Sequence, residues 1–308
     1  MVAYDPEAHA VVCDECSTRY DPALPGIRNA IECCHSLDAV DRDDIPISYL
    51  PLKLSAVERG SSAFTDAQLR FLQAVYSAHQ RRFDPEFEYD LMYDSMVRLQ
   101  EYTGVSPKEV RELIDGESLA LDCTYPHKLY TVTPKGRRAI AVRHREGVAH
   151  GHGRGDMSES SLHVVMVELG RRYLEQAFVE NDESTAVEAV SYFEPDDSRS
   201  RLDAVCLDEN GNIVVTLEAE RANHDILTGV PEDYDKMAAC DPEAAVWVVK
   251  NRSDAHEVLR ALNEPNEGPP RVEKTYSTNS PPSTFQISQP GFTEMHTLQE
   301  LRDSTLSE

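Results

Sequence analysis

The 308-residue chain has no long apolar run and little lysine, and its cysteines are unevenly distributed along the sequence. No apolar run approaches the ~18 residues that a membrane-spanning helix requires. The N-terminus, Met1 to Asp5, lacks the basic and apolar segments of a secretory signal. We therefore expect a soluble, cytoplasmic protein with no membrane partner, long enough to form two domains.

Lysine is scarce, because it supplies only seven of the 30 basic residues, and 55 acidic residues bring the formal net charge to −25. Taken alone, this charge argues against a nucleic-acid partner, since phosphates repel an acidic surface. A composition rich in Asp and Glu and poor in Lys also resembles that of halophilic archaea, in which surface acidity maintains solubility in concentrated salt. The distribution of charge along the chain is therefore more informative about partners than its sum.

Four of the seven cysteines lie in the first 34 residues, and the scattered remainder are expected to be small buried residues. Cys13 and Cys16 form a Cys-x2-Cys pair, and the run Cys33-Cys34-His35 follows after 16 residues. These residues could hold a structural, tetrahedral zinc ion. We expect at most two ligands from the second group, with Cys33 and His35 as the first choice. The alternative is an acidic arm in which the cysteines are incidental.

After a connector at 51–62, the pattern up to residue 146 predicts three helices, two short strands and a fourth helix. In order, these are a helix from Thr65, a helix over 86–102, a helix from Ser106, strands over 118–122 and 128–132, and a helix from Thr133. Thr65 and Ser106 are suitable N-caps, and Pro107 takes the first helical position after Ser106.

The order of these elements resembles that of winged helix-turn-helix domains, over residues 62–146. Its most specific part is the run from Leu129 to Gly136, which is similar to the second wing strand and the cap that follows it. The resemblance implies DNA binding, with the third helix in a groove and the wing against phosphates. Winged helices also mediate protein contacts, so a dock for a partner protein is the alternative.

The charge of this region favours DNA. Between Pro126 and Arg145 the chain has six basic residues and no acidic one, although the sequence as a whole is acidic. The candidate DNA-binding residues are Lys108, Arg111, Lys128, Lys135, Arg137, Arg138, Arg143 and Arg145. Because the third helix also carries Glu109 and Glu112, we expect backbone contact more than sequence-specific readout. A solvated basic face remains an alternative interpretation.

Residues 147–157 form a connector rich in Gly and His, and this is the natural domain boundary. His150 and His152 could bind a metal, but a pair with this spacing is more typical of a linker.

The residues from 158 onward predict helices and strands around one sheet. In order, these are a helix over 158–178, strands over 187–193, 202–207 and 213–220, a helix over 231–240 that starts at Pro231, a buried strand over 244–250, a helix over 253–262, a loop over 264–283, a strand over 284–287 and a helix over 297–302. The turn from Asp208 to Asn212 contains Asn210-Gly211, which is a strong hairpin signal.

The two strands of this hairpin carry acidic residues where a purely structural strand rarely has them. Glu218 and Glu220 share one face, about 7 Å apart along the strand, and Asp203 on the neighbouring strand can lie beside them. Three carboxylates on a half-buried sheet repel one another unless a cation is present, so the pattern predicts a divalent-metal site. The alternative is an acidic sheet edge in a protein that is acidic throughout.

A helix, a three-strand meander, a helix and a strand, in that order, are similar to the core of the PD-(D/E)xK nuclease superfamily, which includes restriction enzymes and Holliday-junction resolvases. The resemblance covers about residues 158–262. It implies that Asp203 and Glu218 bind Mg²⁺ or Mn²⁺. It also implies an acidic ligand from the first helix, for which Glu168 is the first choice and Glu175 the second.

The chain departs from this family at the third position of the motif, where Glu220 replaces the usual lysine. Some restriction enzymes have Glu there, so Glu220 could act on the attacking water. Alternatively, Lys236 on the next helix could supply the missing ammonium, although a surface lysine on an acidic helix is the interpretation we favour. Arg221 and His224, just beyond the strand, are candidates for phosphate contact.

We therefore predict an α+β multidomain protein, with a winged helix and an α/β restriction-endonuclease-like core in which helices flank a mixed central sheet. The predicted parts are an acidic arm with a zinc knuckle at 1–50, the winged helix at 62–146, the linker at 147–157 and the nuclease-like domain at 158–308. This combination also resembles the replication-relaxation type of plasmid protein.

The leading hypothesis is a DNA-binding, Mg²⁺-dependent endonuclease that could act as a homodimer in plasmid or virus replication, recombination or defence. The first alternative is a non-catalytic DNA-binding regulator or replication protein with a degenerate nuclease fold. The second is a protein-interaction adaptor built on the zinc module and the winged helix.

Overall fold

The computed structural model describes residues 2–5, 7–8, 10–22, 24–40, 52–83, 89–142, 149–150, 153–154, 159–195, 201–221 and 225–306. The chain divides into two compact units, unit 1 over 1–146 and unit 2 over 147–308. Both units combine helices with strands, which confirms the predicted mixture of α and β structure. Among the described residues, no helix is long and apolar enough to cross a membrane.

Unit 1 begins with a small module of three antiparallel strands in the order β1-β2-β3, against which one helix packs. These elements are β1 (Val2–Asp5), β2 (Ala10–Cys13), β3 (Arg19–Tyr20) and α1 (Leu24–Cys34). The buried core of the module consists of Val2, Tyr4, Val11, Ile27, Ala30 and Ile31. A core of six side chains is small for a segment of this length, which bears on how the module is held together.

Beyond this module, the described residues of unit 1 form five α-helices and one hairpin. These are α2 (Ala56–Gly60), α3 (Asp66–His79), α4 (Val97–Thr103), α5 (Pro107–Asp115), β4 (Leu119–Cys123), β5 (Leu129–Val132) and α6 (Pro134–Ala139). The predicted N-caps are confirmed, since Thr65 accepts a hydrogen bond from the Gln68 amide and Ser106 accepts one from the Glu109 amide. Strands β4 and β5 pair antiparallel, as predicted.

Two predictions for unit 1 are wrong. The connector at 51–62 contains α2, which starts with a capping box between Ser55 and Glu58. The helix predicted over 86–102 begins only at Val97, and residues 84–88 lie outside the described residues. Before Val97, Asp90 and Asp94 accept hydrogen bonds from nearby backbone amides, so a turn replaces the helix.

Helices α4 and α5 meet at a corner of three residues, Gly104, Val105 and Ser106. Gly104 has φ 67°, a left-handed conformation that ends α4 and that glycine adopts at little cost. Val105 is fully buried, and Ser106 starts α5. The corner therefore fixes the direction in which α5 leaves the core.

Unit 2 is built on a five-stranded mixed sheet with the order β12-β11-β10-β9-β8. The strands are β8 (Glu188–Phe193), β9 (Leu202–Leu207), β10 (Ile213–Glu220), β11 (Ala244–Val249) and β12 (Glu294–Thr297). The first three form an antiparallel meander, whereas β10, β11 and β12 are parallel. The predicted mixed central sheet is therefore present.

The described part of unit 2 also contains four α-helices, namely α7 (Ser161–Leu174), α8 (Ile226–Ala238), α9 (Arg252–Asn263) and α10 (Leu298–Thr305). On one sheet face α7 lies so close that a Cβ on Gly170 would come within 2.8 Å of Leu217. The opposite face carries the buried Trp247, which packs in one core with residues of α8 and α9. The sheet thus lies between two helical layers.

The predicted hairpin between β9 and β10 is confirmed. Its turn is closed by a 2.9 Å hydrogen bond from the Asp208 amide to the Asn212 carbonyl, and Gly211 has φ +80°. The strand predicted over 284–287 is wrong, because the edge strand is β12. The predicted connector also contains a short hairpin, β6 (Ala149–His150) with β7 (Gly153–Arg154), and His152 lies outside the described residues.

Helix α8 starts five residues earlier than predicted and contains Pro231 in its interior. Pro231 has no amide to donate to the Leu227 carbonyl one turn before it. That carbonyl accepts a 3.1 Å hydrogen bond from the Asn266 amide, which lies after α9. Arg271 adds an ion pair to Asp235 of α8, with a shortest contact of 2.6 Å. Residues after α9 therefore support α8 at two points.

Candidate carboxylate site and thiol cluster

The β9–β10 hairpin brings two of the predicted carboxylates together. In its register Leu217 pairs with Ala204, so the next residues along, Glu218 and Asp203, lie opposite each other. Directly opposite residues of an antiparallel pair project from the same face. Glu218 is also level with Trp247 on β11, which places both acids on the face covered by α8 and α9.

Asp203 is a buried carboxylate with two donors. Its Oδ2 accepts a 2.9 Å hydrogen bond from the Ala219 amide, and its Oδ1 lies 3.2 Å from Nε2 of His163. Burial alone would raise the pKa of Asp203. The charge of His163 and the hydrogen bonds from His163 and Ala219 outweigh burial and lower the pKa to about 2. Asp203 is therefore ionised at neutral pH.

Glu218 forms an ion pair with Lys236, whose Nζ lies 2.7 Å from Oε1 of Glu218. Burial raises the pKa of Glu218 well above its ordinary value, and the negative charge of Asp203 adds to the effect, while Lys236 opposes it. Lys236 also lies 2.9 Å from Asp233 on its own helix and donates to the carbonyl of Arg201. One ammonium group thus serves two carboxylates and a carbonyl.

Lys236 is not the surface lysine that we favoured in the sequence, because its side chain is only 18% exposed. Burial would lower the pKa of Lys236, but the carboxylates of Glu218 and Asp233 outweigh it and raise the pKa. The helix that carries Lys236 packs against β10, so the ammonium reaches the carboxylates from outside the strand. Its position is the shifted one that the sequence offers as an alternative.

Glu220 is half-buried at the end of β10, and its Oε1 accepts a hydrogen bond from the Arg221 amide. Burial raises the pKa of Glu220 to about 7, and the charge of Asp233 contributes in the same direction. Since Glu220 follows Glu218 by two residues, both side chains project to the same face of β10. The predicted trio of Asp203, Glu218 and Glu220 therefore shares one face of the sheet.

His163, near the start of α7, is a site residue that the sequence did not predict. It lies 3.2 Å from Asp203 and 3.9 Å from Glu159. Burial lowers its pKa, but the charges of Asp203 and Glu159 and the hydrogen bond to Asp203 together outweigh burial, and the pKa is raised. A histidine near a helix start carries no sequence signal of such a contact, because only the fold brings α7 next to β9.

Glu168, the first choice for an acidic ligand on α7, is not next to Asp203 in this arrangement. It is buried in ion pairs with Arg171 at 3.3 Å and Arg172 at 3.1 Å. His163 and Glu168 are five residues apart, so they project about 140° from each other around the helix. Since His163 faces Asp203, Glu168 faces elsewhere. Glu175, the second choice, pairs with Arg171.

A further acidic residue, Glu159, lies next to the site, just before α7. Its carboxylate accepts a 2.8 Å hydrogen bond from the Tyr192 hydroxyl and lies 3.4 Å from Arg201. Tyr192 has φ 55°, which is unusual for a residue with a side chain, and it interrupts the pairing of β8 with β9. Arg221, a predicted phosphate contact, donates to the Ser160 hydroxyl, and His224 lies outside the described residues.

The site is a group of buried carboxylates whose partners are a lysine and a histidine. Carboxylate oxygens are the ligands that Mg²⁺ prefers, so Asp203 and Glu218 fit a divalent cation by their chemistry. Lys236 supplies positive charge to Glu218, and His163, whose pKa is raised, is hydrogen-bonded to Asp203. The repulsion among the carboxylates therefore does not by itself require a metal, contrary to the argument from the sequence.

The thiol cluster lies in the N-terminal module of unit 1. Sulfur atoms of Cys13, Cys16, Cys33 and Cys34 all lie within 4.8 Å of one another. Tetrahedral zinc with Zn–S bonds of about 2.3 Å requires sulfur atoms about 3.8 Å apart. The Cys16–Cys33 distance is 3.3 Å and the Cys33–Cys34 distance is 3.7 Å. The four cysteines could therefore hold a metal such as zinc.

The fourth residue of this cluster is not the one predicted as the fourth ligand. Cys34 joins the other three cysteines, whereas Nε2 of His35 is hydrogen-bonded to Asp14 at 3.0 Å and groups with Cys13 and Asp14. Hydrogen bonding to Thr18 lowers the pKa of Cys16 to about 6, which favours the thiolate that binds metals.

The described DNA-binding candidates lie on or next to three elements of unit 1. Lys108 and Arg111 are exposed on α5, although Lys108 also lies 3.7 Å from Glu112. Lys128 immediately precedes β5, 5.9 Å from the ring centre of Tyr130. Lys135, Arg137 and Arg138 are on α6, and Arg143 and Arg145 lie outside the described residues.

Lys135 has a structural contact as well as its exposed position. Its Nζ donates a 2.7 Å hydrogen bond to the carbonyl of Gly116, just after α5. The same residue therefore joins α6 to the end of α5.

No family model, no curated protein and no solved structure matches this chain.

Proposed function

We propose that unit 2 is a metal-dependent nuclease of the PD-(D/E)xK type and that unit 1 binds DNA through a winged helix-turn-helix. The observation that carries the proposal is the convergence of Asp203, Glu218 and Lys236. A strand acid, a second strand acid and an ammonium group are the set that such a nuclease needs. In this chain the ammonium comes from α8 instead of the strand position taken by Glu220.

The order of elements supports the same interpretation. Helix α7 is followed by the meander β8-β9-β10, helix α8 and the parallel strand β11. Asp203 lies on the second strand of the meander and Glu218 on the third. These are the positions that the resemblance assigns to the two acidic ligands.

Asp203 and Glu218 would hold Mg²⁺ or Mn²⁺, which when bound polarises a phosphate and lowers the pKa of a water ligand. His163 and the Ala219 amide hold the carboxylate of Asp203 in place. Lys236 orients Glu218 and brings positive charge to the point where a scissile phosphate would lie. Glu220 shares this face and can orient or deprotonate the attacking water.

DNA binding is supported by the shape and charge of unit 1. Helices α4 and α5 meet at a three-residue corner that contains a glycine, as in helix-turn-helix motifs. Lys108 and Arg111, three residues apart, lie on the same side of α5 and are exposed. The β4–β5 hairpin and α6 follow, and no acidic residue occurs between Pro126 and Arg145. These features favour contact with phosphates.

Cleavage of supercoiled, linear and branched DNA in concentrated KCl, with Mg²⁺ or Mn²⁺, tests the proposal. We expect cutting by the wild type and its loss in Asp203→Asn and Lys236→Met. The matched control is Glu209→Gln in the exposed β9–β10 turn, which should cut like the wild type. Glu220→Gln should also lose cutting if Glu220 acts on the attacking water, and it should cut like the wild type if it does not. If no substrate is cut with either metal, the nuclease proposal is wrong.

The second candidate function is a non-catalytic DNA-binding regulator or replication protein, and one observation favours it. Lys236 and His163 satisfy Glu218 and Asp203 without a metal, as in a site that has become structural. In that case DNA affinity should be unchanged by Asp203→Asn and no metal should alter the stability of unit 2. A metal that raises the melting temperature of the wild type but not of Asp203→Asn would exclude this candidate.

We also propose that the thiol cluster binds structural zinc, with Cys34 as the fourth ligand in place of His35. The mutual approach of the four sulfur atoms supports this set. Metal analysis of the purified chain should find about one zinc per chain in the wild type and in His35→Ala. The same analysis should find a large loss of zinc in Cys34→Ser.

A further inference from the structure

The N-terminal module is attached to the corner between α4 and α5 by a buried hydrogen bond. The hydroxyl of Tyr4, on β1, donates to the carbonyl of Val105 at 3.1 Å. Tyr4 is 6% exposed and Val105 is fully buried. Since the two residues are far apart in sequence, the bond joins two separately formed elements of unit 1.

The hydroxyl of Tyr4 lies near acidic groups at the start of α5. Burial raises the pKa of Tyr4 above its ordinary value, and the carboxylates of Glu109 and Glu101 raise it further. Glu109 belongs to the capping box of α5 and also accepts a 2.7 Å hydrogen bond from Thr65 of the α3 cap. The module, the α3 cap and the α5 cap therefore meet at one place.

The module has little else to hold its own shape. Its core consists of six buried side chains, and segments of about 40 residues usually need a metal or disulfides to fold. Cys13 ends β2, Cys16 lies in the turn that follows β2, and Cys33 and Cys34 end α1. A metal bound there would tie the sheet to the helix.

We infer that zinc held by Cys13, Cys16, Cys33 and Cys34 fixes β1 so that Tyr4 holds the Val105 carbonyl and thereby sets the start of α5. Tyr4 is then a positioning residue for Lys108 and Arg111, the two basic residues of α5. The inference rests on the zinc-binding part of the proposed function. It does not depend on the nuclease chemistry of unit 2.

Hydrogen exchange of the full-length chain, followed in the peptide that covers residues 104–110, tests the inference. Removing zinc with a strong chelator should speed exchange there. In the zinc-loaded chain, Tyr4→Phe should speed exchange about fivefold, because a hydrogen bond contributes about 1 kcal/mol. Tyr4→Phe should keep its zinc, since the phenyl ring still fills the core of the module.

The matched control is Tyr125→Phe, which removes a hydroxyl from a side chain that is 67% exposed and should leave exchange at 104–110 unchanged. In the chelated protein, Tyr4→Phe should add little to the exchange of the wild type, because the positioning bond is already lost. This non-additivity separates positioning from a general loss of stability.

Two results would overturn the inference, and they differ in what they say about zinc. If the chain contains about one zinc and its removal leaves exchange at 104–110 unchanged, the cluster binds metal but does not position α5. If the purified chain contains no zinc and takes up none, the zinc proposal fails and the inference fails with it. Both results leave the nuclease proposal untouched.

Discussion

At the scale of single residues, Lys236 decides how the candidate site works. Its ammonium lies 2.7 Å from Glu218 and 2.9 Å from Asp233, and all three side chains are largely shielded from water. Buried carboxylates are costly unless paired, so the two acids depend on this lysine. The acids in turn favour the charged form of the lysine against its burial.

We predict that Lys236→Met destabilises unit 2 by about 3–5 kcal/mol, because it leaves Glu218 buried without its cation. The double variant Glu218→Gln/Lys236→Met should recover part of the loss, since Glu218 is then neutral while Asp233 still lacks its cation. Urea unfolding followed by the fluorescence of Trp247, the single tryptophan, measures unit 2 directly. Lys274→Met, at an exposed lysine, should change little. A loss of less than about 1 kcal/mol for Lys236→Met would show that the pair is not needed for stability.

His79 gives a pH-dependent prediction for unit 1. Burial lowers the pKa of His79 to about 4, and the charge of Arg137 lowers it further, whereas the unfolded value is about 6.5. The unfolded state therefore takes up a proton that the folded state refuses. The contribution of this pKa shift to the free energy of unfolding is fully present above about pH 6.5. It decreases as the pH falls towards 4, by up to about 3 kcal/mol.

The test is the exchange of amides in α3 between pH 7 and 4.5, corrected for the intrinsic pH dependence of exchange. In His79→Gln this part of the acid sensitivity should be absent. Equal sensitivity in the wild type and the variant would contradict the prediction.

Predictions about single residues are correct where spacing along the chain determines which side chains meet. They are wrong where only the tertiary fold brings the residues together. Strand alternation and an Asn-Gly turn were enough to place Asp203 beside Glu218. The contact of His163 with Asp203 requires knowing that α7 lies next to β9, which no local pattern contains. Adjacent cysteines depart from the usual spacing of zinc ligands, yet Cys33 and Cys34 at the end of α1 both reach the cluster.

At the scale of elements, the β9–β10 hairpin sets the register on which the site depends. A shift of one residue would turn Glu218 to the opposite face of the sheet. Gly211 contributes to this register, because the turn requires a left-handed residue with φ +80°. The space around Gly211 is open, so only its backbone conformation limits substitution.

Comparing alanine substitutions at Gly211 and Gly229 separates the effect of backbone conformation from the effect of the space available for a side chain. An added Cβ would meet nothing within 4 Å at either position, but Gly229 lies in α8 with ordinary helical geometry. We predict that Gly211→Ala destabilises unit 2 by about 1 kcal/mol. Gly229→Ala should stabilise it by about 0.5–1 kcal/mol. Urea unfolding of the two variants checks the prediction, and a shift of the same sign in both would contradict it.

The element-scale errors have a common physical origin. Phe285 and Ile287 look like strand residues because they are apolar, and both are buried, but they pack into the core from a loop. The edge strand β12 has fewer apolar residues and is selected by its parallel pairing with β11. Burial and strand pairing are separate requirements, and sequence alternation reports chiefly the first.

At the scale of the whole molecule, charge is the dominant property. The net charge of −25 is spread over a chain of 308 residues, so acidic groups repel one another at low salt. We predict that the melting temperature rises with KCl and levels off near 1 M, where the Debye length falls to about 3 Å. Calorimetry in KCl measures this, with an uncharged osmolyte as control. A rise that continues linearly to several molar would indicate salt exclusion instead of screening.

The segment after α9 has a consequence for control of the proposed enzyme. It supports α8 through the Asn266 amide on the Leu227 carbonyl and through Arg271 on Asp235, the neighbour of Lys236. Loss of these two contacts would remove support from the helix that carries Lys236. We therefore predict that a genetic screen for inactive variants of the proposed enzyme finds substitutions in this segment as well as at the carboxylates.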